Sequence, residues 1–380
     1  MNIDKDYIIQ TRRQLHQIPE IGFDLPKTMD FVCKELDAMG IPYTCQIGKS
    51  CIIATLNEGV GSKTIALRAD MDALPINEET GLPFSSTHPG KMHACGHDCH
   101  AAMLLGTAKA LKAMEKDIHC CVKFIFQSAE EILGGAKTIC DTGFMDQVDT
   151  ILCCHILPGL PLGSIGLSRT CDSACTRYFN LHLYGKASHV ALPHQGVDAI
   201  AMAVRVYSDI QLMRARELNP LEKVVIGIGT IHGGEASNII CDHVEMDFTI
   251  RTQSTALDNH IYARIQQIAN SVAADMGGTA EFEPLTFSPA LHNDLTVCDQ
   301  VEAAAAAVLG PEKVLEKDES MGGEDFSYYL EHKPGCIFWL GVSDSSAYTP
   351  LHNEKFVVNE DALEIAPKVF IQYILDQMNK

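Results

Sequence analysis

The chain has 380 residues, 46% hydrophobic and 21% charged, which provides for two or three domains with a sizeable core and excludes a peptide hormone, wholesale disorder and a fibrous rod. Its formal net charge of −20 repels phosphate backbones and anionic lipid headgroups, so neither a nucleic acid nor a membrane partner is expected. No apolar run approaches the ~20 residues that span a bilayer. The amino terminus, Met1-Asn2-Ile3-Asp4-Lys5-Asp6, is acidic where an export signal is basic and then apolar. Fifteen cysteines in a long chain, with adjacent pairs such as Cys120-Cys121 and Cys153-Cys154 inside apolar runs, read as free thiols in a reducing cytoplasm.

Taken in chain order, the helical spacing of Ile8, Leu15 and Ile18 before Pro19 predicts a helix over 4–18. Strands are expected at 51–56 and 64–69, a helix at 97–115, and apolar strands at 120–127 and 150–156. This alternation points to an α/β fold with a largely parallel sheet covered by helices. From residue 174 the pattern becomes strand 178–184, helix 196–215, strands 223–231 and 244–250, helix 256–276 and strand 280–284. That order, β-α-β-β-α-β, is ferredoxin-like. After Pro289 the α/β pattern returns, with the alanine run 303–307 in a helix, a strand at 337–341 and a last helix at 360–378. The expected organisation is a discontinuous domain, 1–173 and 289–380, carrying an inserted α+β domain at 174–288.

The densest group of metal-ligand side chains is His93-Ala94-Cys95-Gly96-His97-Asp98-Cys99-His100, at the start of a helix. Thiolate and imidazole donors two residues apart suit zinc and its neighbours, although a helix start with incidental histidines has the same letters. Glu130-Glu131 follows one apolar strand and His155 ends the next, and open α/β sheets place their sites at such carboxyl ends. A surface carboxylate pair and a structural histidine are the plainer alternatives. What favours a site is that Cys95, His97, Glu131 and His155 all fall on one edge of one inferred sheet.

Four stretches together resemble a known family: Arg68-Ala69-Asp70-Met71-Asp72-Ala73-Leu74-Pro75, the Cys95 segment, Ala129-Glu130-Glu131 with Gly134-Gly135-Ala136, and Leu351-His352-Asn353. The likeness is to the amidohydrolase branch of the aminoacylase and glutamate-carboxypeptidase superfamily, which includes hippurate hydrolases, N-acetyldiaminopimelate deacetylases and indole-3-acetyl-amino-acid hydrolases. It runs from Arg13-Gln14-Leu15-His16 to the final helix. The resemblance implies a di-metal aminopeptidase-like catalytic domain with an inserted lid and dimerisation domain. It also implies two divalent cations (Zn, Mn, Co or Ni) held by Cys95, His97, Glu131, His155 and His352, with the Cys95 sulfur bridging. Glu130 would then be the general base and Asp72 would support the ligands from behind. Two places depart from the family pattern, Ser128, where proline is common, and Ile132-Leu133, where glycine is common.

In the inserted segment, Gly185-Lys186-Ala187-Ser188-His189 resembles the stretch whose histidine, here His189, reaches the reacting carbonyl, in related enzymes from a dimer partner. Gly233-Gly234 through Asn238, and Arg251, resemble the substrate-contacting pair, Asn238 and Arg251, the latter suited to a carboxylate. Met321-Gly322-Gly323-Glu324-Asp325-Phe326 matches a family loop expected to line the pocket. The implied activity is metal-dependent hydrolysis of the amide bond of N-acyl-L-amino acids by a cytoplasmic homodimer. The alternatives are a dipeptidase or carboxypeptidase on the same scaffold, an N-acetyldiaminopimelate deacetylase of lysine biosynthesis, and a catalytically silent metal- or ligand-binding homologue.

Overall fold

The structure, a computed structural model, describes residues 3–344 and 348–378. It forms two compact units, Met1–Asp172 with His292–Glu319 and Glu324–Lys380, and Ser173–Leu291 with Ser320–Gly323.

The first unit is built on an eight-stranded sheet in the order Tyr43–Thr44, Ile52–Leu56, Cys121–Gln127, Thr64–Asp70, Thr150–Pro161, Gly335–Ser343, Ile165–Leu167, Val314–Glu316. Its centre is parallel, with Thr64–Asp70 between Cys121–Gln127 and Thr150–Pro161, and Thr150–Pro161 beside Gly335–Ser343. The sheet as a whole is mixed rather than largely parallel, because Ile52–Leu56 runs antiparallel to Cys121–Gln127 and Ile165–Leu167 runs antiparallel to Gly335–Ser343. All seven residues of Cys121–Gln127 are buried, as expected for a strand covered on both faces. Helices Lys5–His16, Pro26–Met39, His97–Ala113, Leu295–Leu309 and Ile365–Met378 pack their apolar residues into the same core. Fully buried side chains such as Phe124, Phe126 and Phe370 contribute ~1.5–3 kcal/mol each by leaving water.

The helix Pro26–Met39 was not among the expected elements, yet its punctuation is in the letters. Pro26 occupies the first turn, where its missing N–H costs nothing, and Gly40 closes the helix in the left-handed region at φ 66°. The last helix begins at Ile365, after a single tight turn at Glu360–Ala362, later than the expected 360. Parallel strands Thr64–Asp70 and Cys121–Gln127 end side by side at Asp70 and Gln127, so the loops that follow them emerge on one edge.

The second unit has the β-α-β-β-α-β sequence, from Cys175–Tyr184 through Thr279–Ser288, with an antiparallel sheet ordered Val224–Gly233, His243–Thr252, Cys175–Tyr184, Thr279–Ser288. Alternation along Cys175–Tyr184 puts Phe179, Leu181 and Leu183 against the helices Ala199–Arg216 and Thr255–Met276, in a core separate from that of the first unit. Val224–Gly233 is an edge strand, paired with His243–Thr252 alone among the described strands. Among the described residues, no helix is long and apolar enough to cross a membrane.

Candidate metal centre

The helix His97–Ala113 begins at a tight corner. Gly96 has φ 87°, and a Cβ there would stand 2.1 Å from Ile156 Cδ1, so only glycine lets the Cys95 loop lie against the Thr150–Pro161 strand. Cys95 is thereby buried with its sulfur 3.5 Å from His155 Nε2 and 3.3 Å from His352 Nε2. His155 donates Nδ1–H to the Ile156 carbonyl at 2.7 Å, which leaves Nε2 as the unprotonated nitrogen facing the sulfur. Its neighbour His100 is held by Asp70 at 2.6 Å, and the Ile156 N–H donates to His100 Nε2 at 3.0 Å.

Glu130 and Glu131 sit in a strained turn. Ala129 and Leu133, flanking them, have φ 56° and 53°, the region where glycine is at ease and where the family pattern has glycine near position 133. The turn is closed by Gly134 and Gly135, whose N–H groups donate to the Ala129 carbonyl at 3.1 and 3.2 Å. A Cβ on Gly135 would lie 1.7 Å from the Ser128 carbonyl oxygen. Ser128, in place of the common proline, donates its hydroxyl to the Lys49 carbonyl at 2.7 Å and so ties the turn to a neighbouring loop. From behind, Asp72 accepts the backbone N–H of Glu130 at 3.0 Å and of Glu131 at 3.1 Å, one carboxylate orienting both.

Of the groups of ligand atoms that lie within 4.8 Å of one another, two contain Cys95, namely Cys95–His97–His155 and Cys95–Glu131–His352, and a third, His97–Glu130–Glu131, brings Glu130 beside them. Among the described residues, neither ring nitrogen of His97 makes a hydrogen bond, and the Glu131 Oε1 atom makes none. The carboxylates around His97 stand 3.5–3.8 Å off: Asp72, Glu131, Asp70 and Glu130. Buried polar atoms left at that distance are costly unless something else occupies them. Sulfur, nitrogen and carboxylate donors in one buried group suit Zn, Mn, Co or Ni.

The electrostatics agree. Burial and the Glu131 and Glu130 carboxylates push the Cys95 thiol well above its ordinary pKa. Burial alone would lower His97, but Asp70, Asp72 and Glu131 lift it to about 10. Glu131 is raised to about 7 by burial, against the pull of His97, and Glu130 is raised well above the ordinary carboxylate range by burial, Glu324 and Glu131. Negative charge here needs neutralising, and a cation among the donors would do so while favouring the thiolate. His155, pushed down by burial and by His100, is the neutral imidazole that coordination requires.

Several residues of this region were given no structural role from the letters. Arg68 is fully buried and reaches Asp70 at 2.6 Å, Asp325 at 2.8 Å, Glu324 at 3.0 Å and Gln127 at 2.9 Å. Glu324 and Asp325, expected to line the pocket, are thus buried ion-pair partners. Their oxygens nevertheless lie within 4.8 Å of Glu130. His16 and Arg12 hold Asp98, the residue after His97, at 2.8 and 2.7 Å, fixing the helix start from the far side. Trp339, the one tryptophan of the chain, lies with its ring centroid 4.8 Å from that of His155 and donates its indole N–H to Asp172 at 3.0 Å.

That contact makes Trp339 a reporter. Adding Zn or Mn to chelator-treated protein is expected to change its emission and to saturate at about two equivalents. Unchanged emission while metal binds would place the cations elsewhere.

The other sequence candidates lie in the second unit. His189 pairs with Ile239, its Nδ1 accepting the Ala191 N–H at 3.0 Å, and the Asn238 carbonyl accepts the Val190 N–H at 3.0 Å, so His189 and Asn238 belong to one small two-stranded element. Arg251 donates to the Met321 carbonyl at 3.0 Å and to the Tyr178 hydroxyl, with the Tyr178 ring 5.5 Å from its guanidinium.

Comparison with known proteins gives a consistent result. Residues 66–376 match the family described as peptidase family M20/M25/M40. An N-acetylcysteine deacetylase of Bacillus subtilis is 34% identical over 370 residues, 96% of this chain and 95% of that one. A thermostable carboxypeptidase of Saccharolobus solfataricus is 34% identical over 367 residues, 95% of this chain and 93% of its own. A crystal structure of a Bacillus subtilis protein described as a dinuclear metal binding peptidase from the M20 family superposes with a TM-score of 0.84 at 32% identity, over 99% of this chain and 98% of that one.

Proposed function

We propose, from the premise that this chain belongs to peptidase family M20/M25/M40 and is a metal-dependent hydrolase, that it cleaves the amide bond of N-acyl-L-amino acids, releasing a carboxylate and a free amino acid. The observation that carries this reading is the pair of donor groups sharing Cys95, with the Glu130 carboxyl beside both Glu131 and His97 and outside either group. A binding module has no need of such a carboxyl, whereas hydrolysis needs a proton carrier next to its water. His97 and His155 with Cys95, and Glu131 and His352 with Cys95, would hold two divalent cations. Bound there, the cations lower the pKa of a water and polarise the amide carbonyl.

The rest is done by side chains. Glu130 takes the proton of the attacking water as its oxygen bonds to the carbonyl carbon. It then returns that proton to the nitrogen as the C–N bond breaks. Asp72 keeps Glu130 in place through the backbone, and His189 donates to the carbonyl oxygen as it gains charge. Asn238 and Arg251 bind the amino-acid part of the substrate. Release of amine from N-acetyl- and N-benzoyl-amino acids with added Mn, Zn or Co tests the reading. Turnover of dipeptides alone would move the assignment to a peptidase, which the similarity to the carboxypeptidase also supports.

The substrate should carry a free carboxylate beside the scissile amide. Arg251 has five N–H donors, and a planar guanidinium pairs with a carboxylate through two of them. The C-terminal amide of a good substrate is therefore expected to raise KM by about tenfold or more, and Arg251→Lys to have a similar effect on the acid. Equal turnover of acid and amide would remove Arg251 from this role.

The working form is a homodimer joined through the second unit, with His189 acting on the partner's substrate. Support comes from the open edge of Val224–Gly233 and from the apolar side chains beside it. Ile200, Val204, Tyr207 and Ile231 are each at least 44% exposed and line a groove of about 420 Å³ with Val244. Pairing that edge with its copy about a two-fold axis would cover both features. Mixing a Glu130→Gln chain with a His189→Ala chain, each inactive alone, is expected to restore activity, since a mixed dimer contains one site with both residues intact. Confirmed subunit exchange with no recovery would show that His189 acts within its own chain. The fifteen free thiols support a cytoplasmic setting for that dimer.

A further inference from the structure

All fifteen cysteines are free thiols, and thirteen of them are buried. The two that solvent reaches, Cys33 and Cys45, are in contact, with their sulfurs 3.9 Å apart. They come from different elements. Cys33 lies on the outer part of the helix Pro26–Met39, and Cys45 follows the edge strand Tyr43–Thr44, where the chain has turned back through Gly40, Ile41 and Pro42. The meeting is therefore set by the helix-to-strand connection and does not arise from two neighbours in one loop. That connection is well anchored, because Gly40 and Ile41 donate to the Asp37 and Leu36 carbonyls and Ile41 is buried. Neither cysteine takes part in the donor groups around Cys95.

We propose that Cys33 and Cys45 form a thiol–disulfide exchange site, whose partner is a low-molecular-weight disulfide of the glutathione kind. Cys45, the exposed member, attacks first. Its sulfur bonds to one sulfur of the small disulfide, the S–S bond of that disulfide breaks, and one small thiolate leaves. The Cys33 sulfur then attacks Cys45, the mixed bond breaks, and the second small thiolate leaves as the Cys33–Cys45 bond forms. The two protein thiol protons pass to the two departing thiolates. The protein is thus oxidised by two electrons and the small disulfide reduced to two thiols. Burial and the adjacent Cys45 hold the Cys33 thiol up at about 11, which supports the order of attack. The sulfurs must approach from 3.9 Å to the ~2.05 Å of a bond.

Incubating the metal-loaded protein with glutathione disulfide, quenching by alkylation and measuring mass and proteolytic peptides tests this. Expected is a loss of ~2 Da, two hydrogens, with one cross-linked peptide pair joining Cys33 to Cys45. Cys33→Ser should stop at the mixed disulfide and retain one glutathione on Cys45, and a small dithiol should reverse both products. Wild-type protein that keeps glutathione on Cys45 with no cross-link would overturn the proposal, as would labelling spread over other cysteines at the same rate. Because the Cys33→Ser product is defined by mass alone, the outcome does not depend on which substrate the enzyme hydrolyses.

Discussion

Glu130→Gln is expected to lower kcat by ~10²-fold or more while leaving bound metal at its wild-type level. The amide has nearly the shape of the carboxyl, and the backbone of residue 130 stays clamped by Asp72 at 3.0 Å, so the turn should keep its form. What disappears is a carboxylate beside His97 that is able to accept a proton and lies outside both Cys95 donor groups. Glu131→Gln and Cys95→Ser should behave differently, losing metal first and activity as a result. Metal analysis alongside kcat separates the two classes. Normal metal and normal activity in Cys95→Ser would dismantle the site as described, and a Glu130→Gln enzyme that loses metal as readily as Glu131→Gln would remove Glu130 from its role.

Arg68→Met is expected to have the largest effect on stability. The guanidinium is wholly buried and neutralises Asp70, Glu324 and Asp325 at 2.6–3.0 Å. Removing one member of a buried ion cluster leaves the others uncompensated, typically at ~3–5 kcal/mol. Even with Arg68 in place, burial holds Glu324 at about 7 and Asp325 at about 6, with Arg68 pulling both down. Folded-state values above the unfolded ones mean that the native protein binds more protons between about pH 4 and 7, so this pair's contribution falls as pH rises through that window. Without Arg68 both values rise further. The deficit of the variant should therefore be larger at pH 8 than at pH 5.5, read from the denaturant midpoint of Trp339 emission. An equal deficit at both would mean that the cost is packing and not charge.

The α/β framework and the ferredoxin-like order of the second unit were legible because long apolar runs and helical periodicity are local signals. The mixed character of the sheet was not, since the direction of Ile52–Leu56 beside Cys121–Gln127 depends on pairing that no local pattern encodes. Four of the proposed ligands, Cys95, His97, Glu131 and His155, were legible together on one inferred sheet edge, and His352 only through family likeness. By spacing alone, Cys95-Gly96-His97 is a capped helix and His352 a single letter in a loop. Arg68 shows why some roles stayed hidden. Its neighbours Leu67 and Ala69 read as an ordinary strand, and its acidic partners at 324 and 325 are more than 250 positions away. Arg68-Ala69-Asp70-Met71-Asp72, an alternation of charge in a strand too apolar to face water, was the available sign that the charges point inward.

The contact between Cys95 and His352 spans 257 positions. On a growing chain, Cys95, His97, Glu131 and His155 are all made before the first residue of the second unit, and His352 only after its last. At ~5–20 residues per second the interval between His155 and His352 is roughly 10–40 s. The residues of the Cys95–His97–His155 trio therefore exist that much earlier than those of the Cys95–Glu131–His352 trio. The residues of the two trios are completed in order of synthesis, although the strand that carries His155 gains its neighbour Gly335–Ser343 only after the second unit has been made.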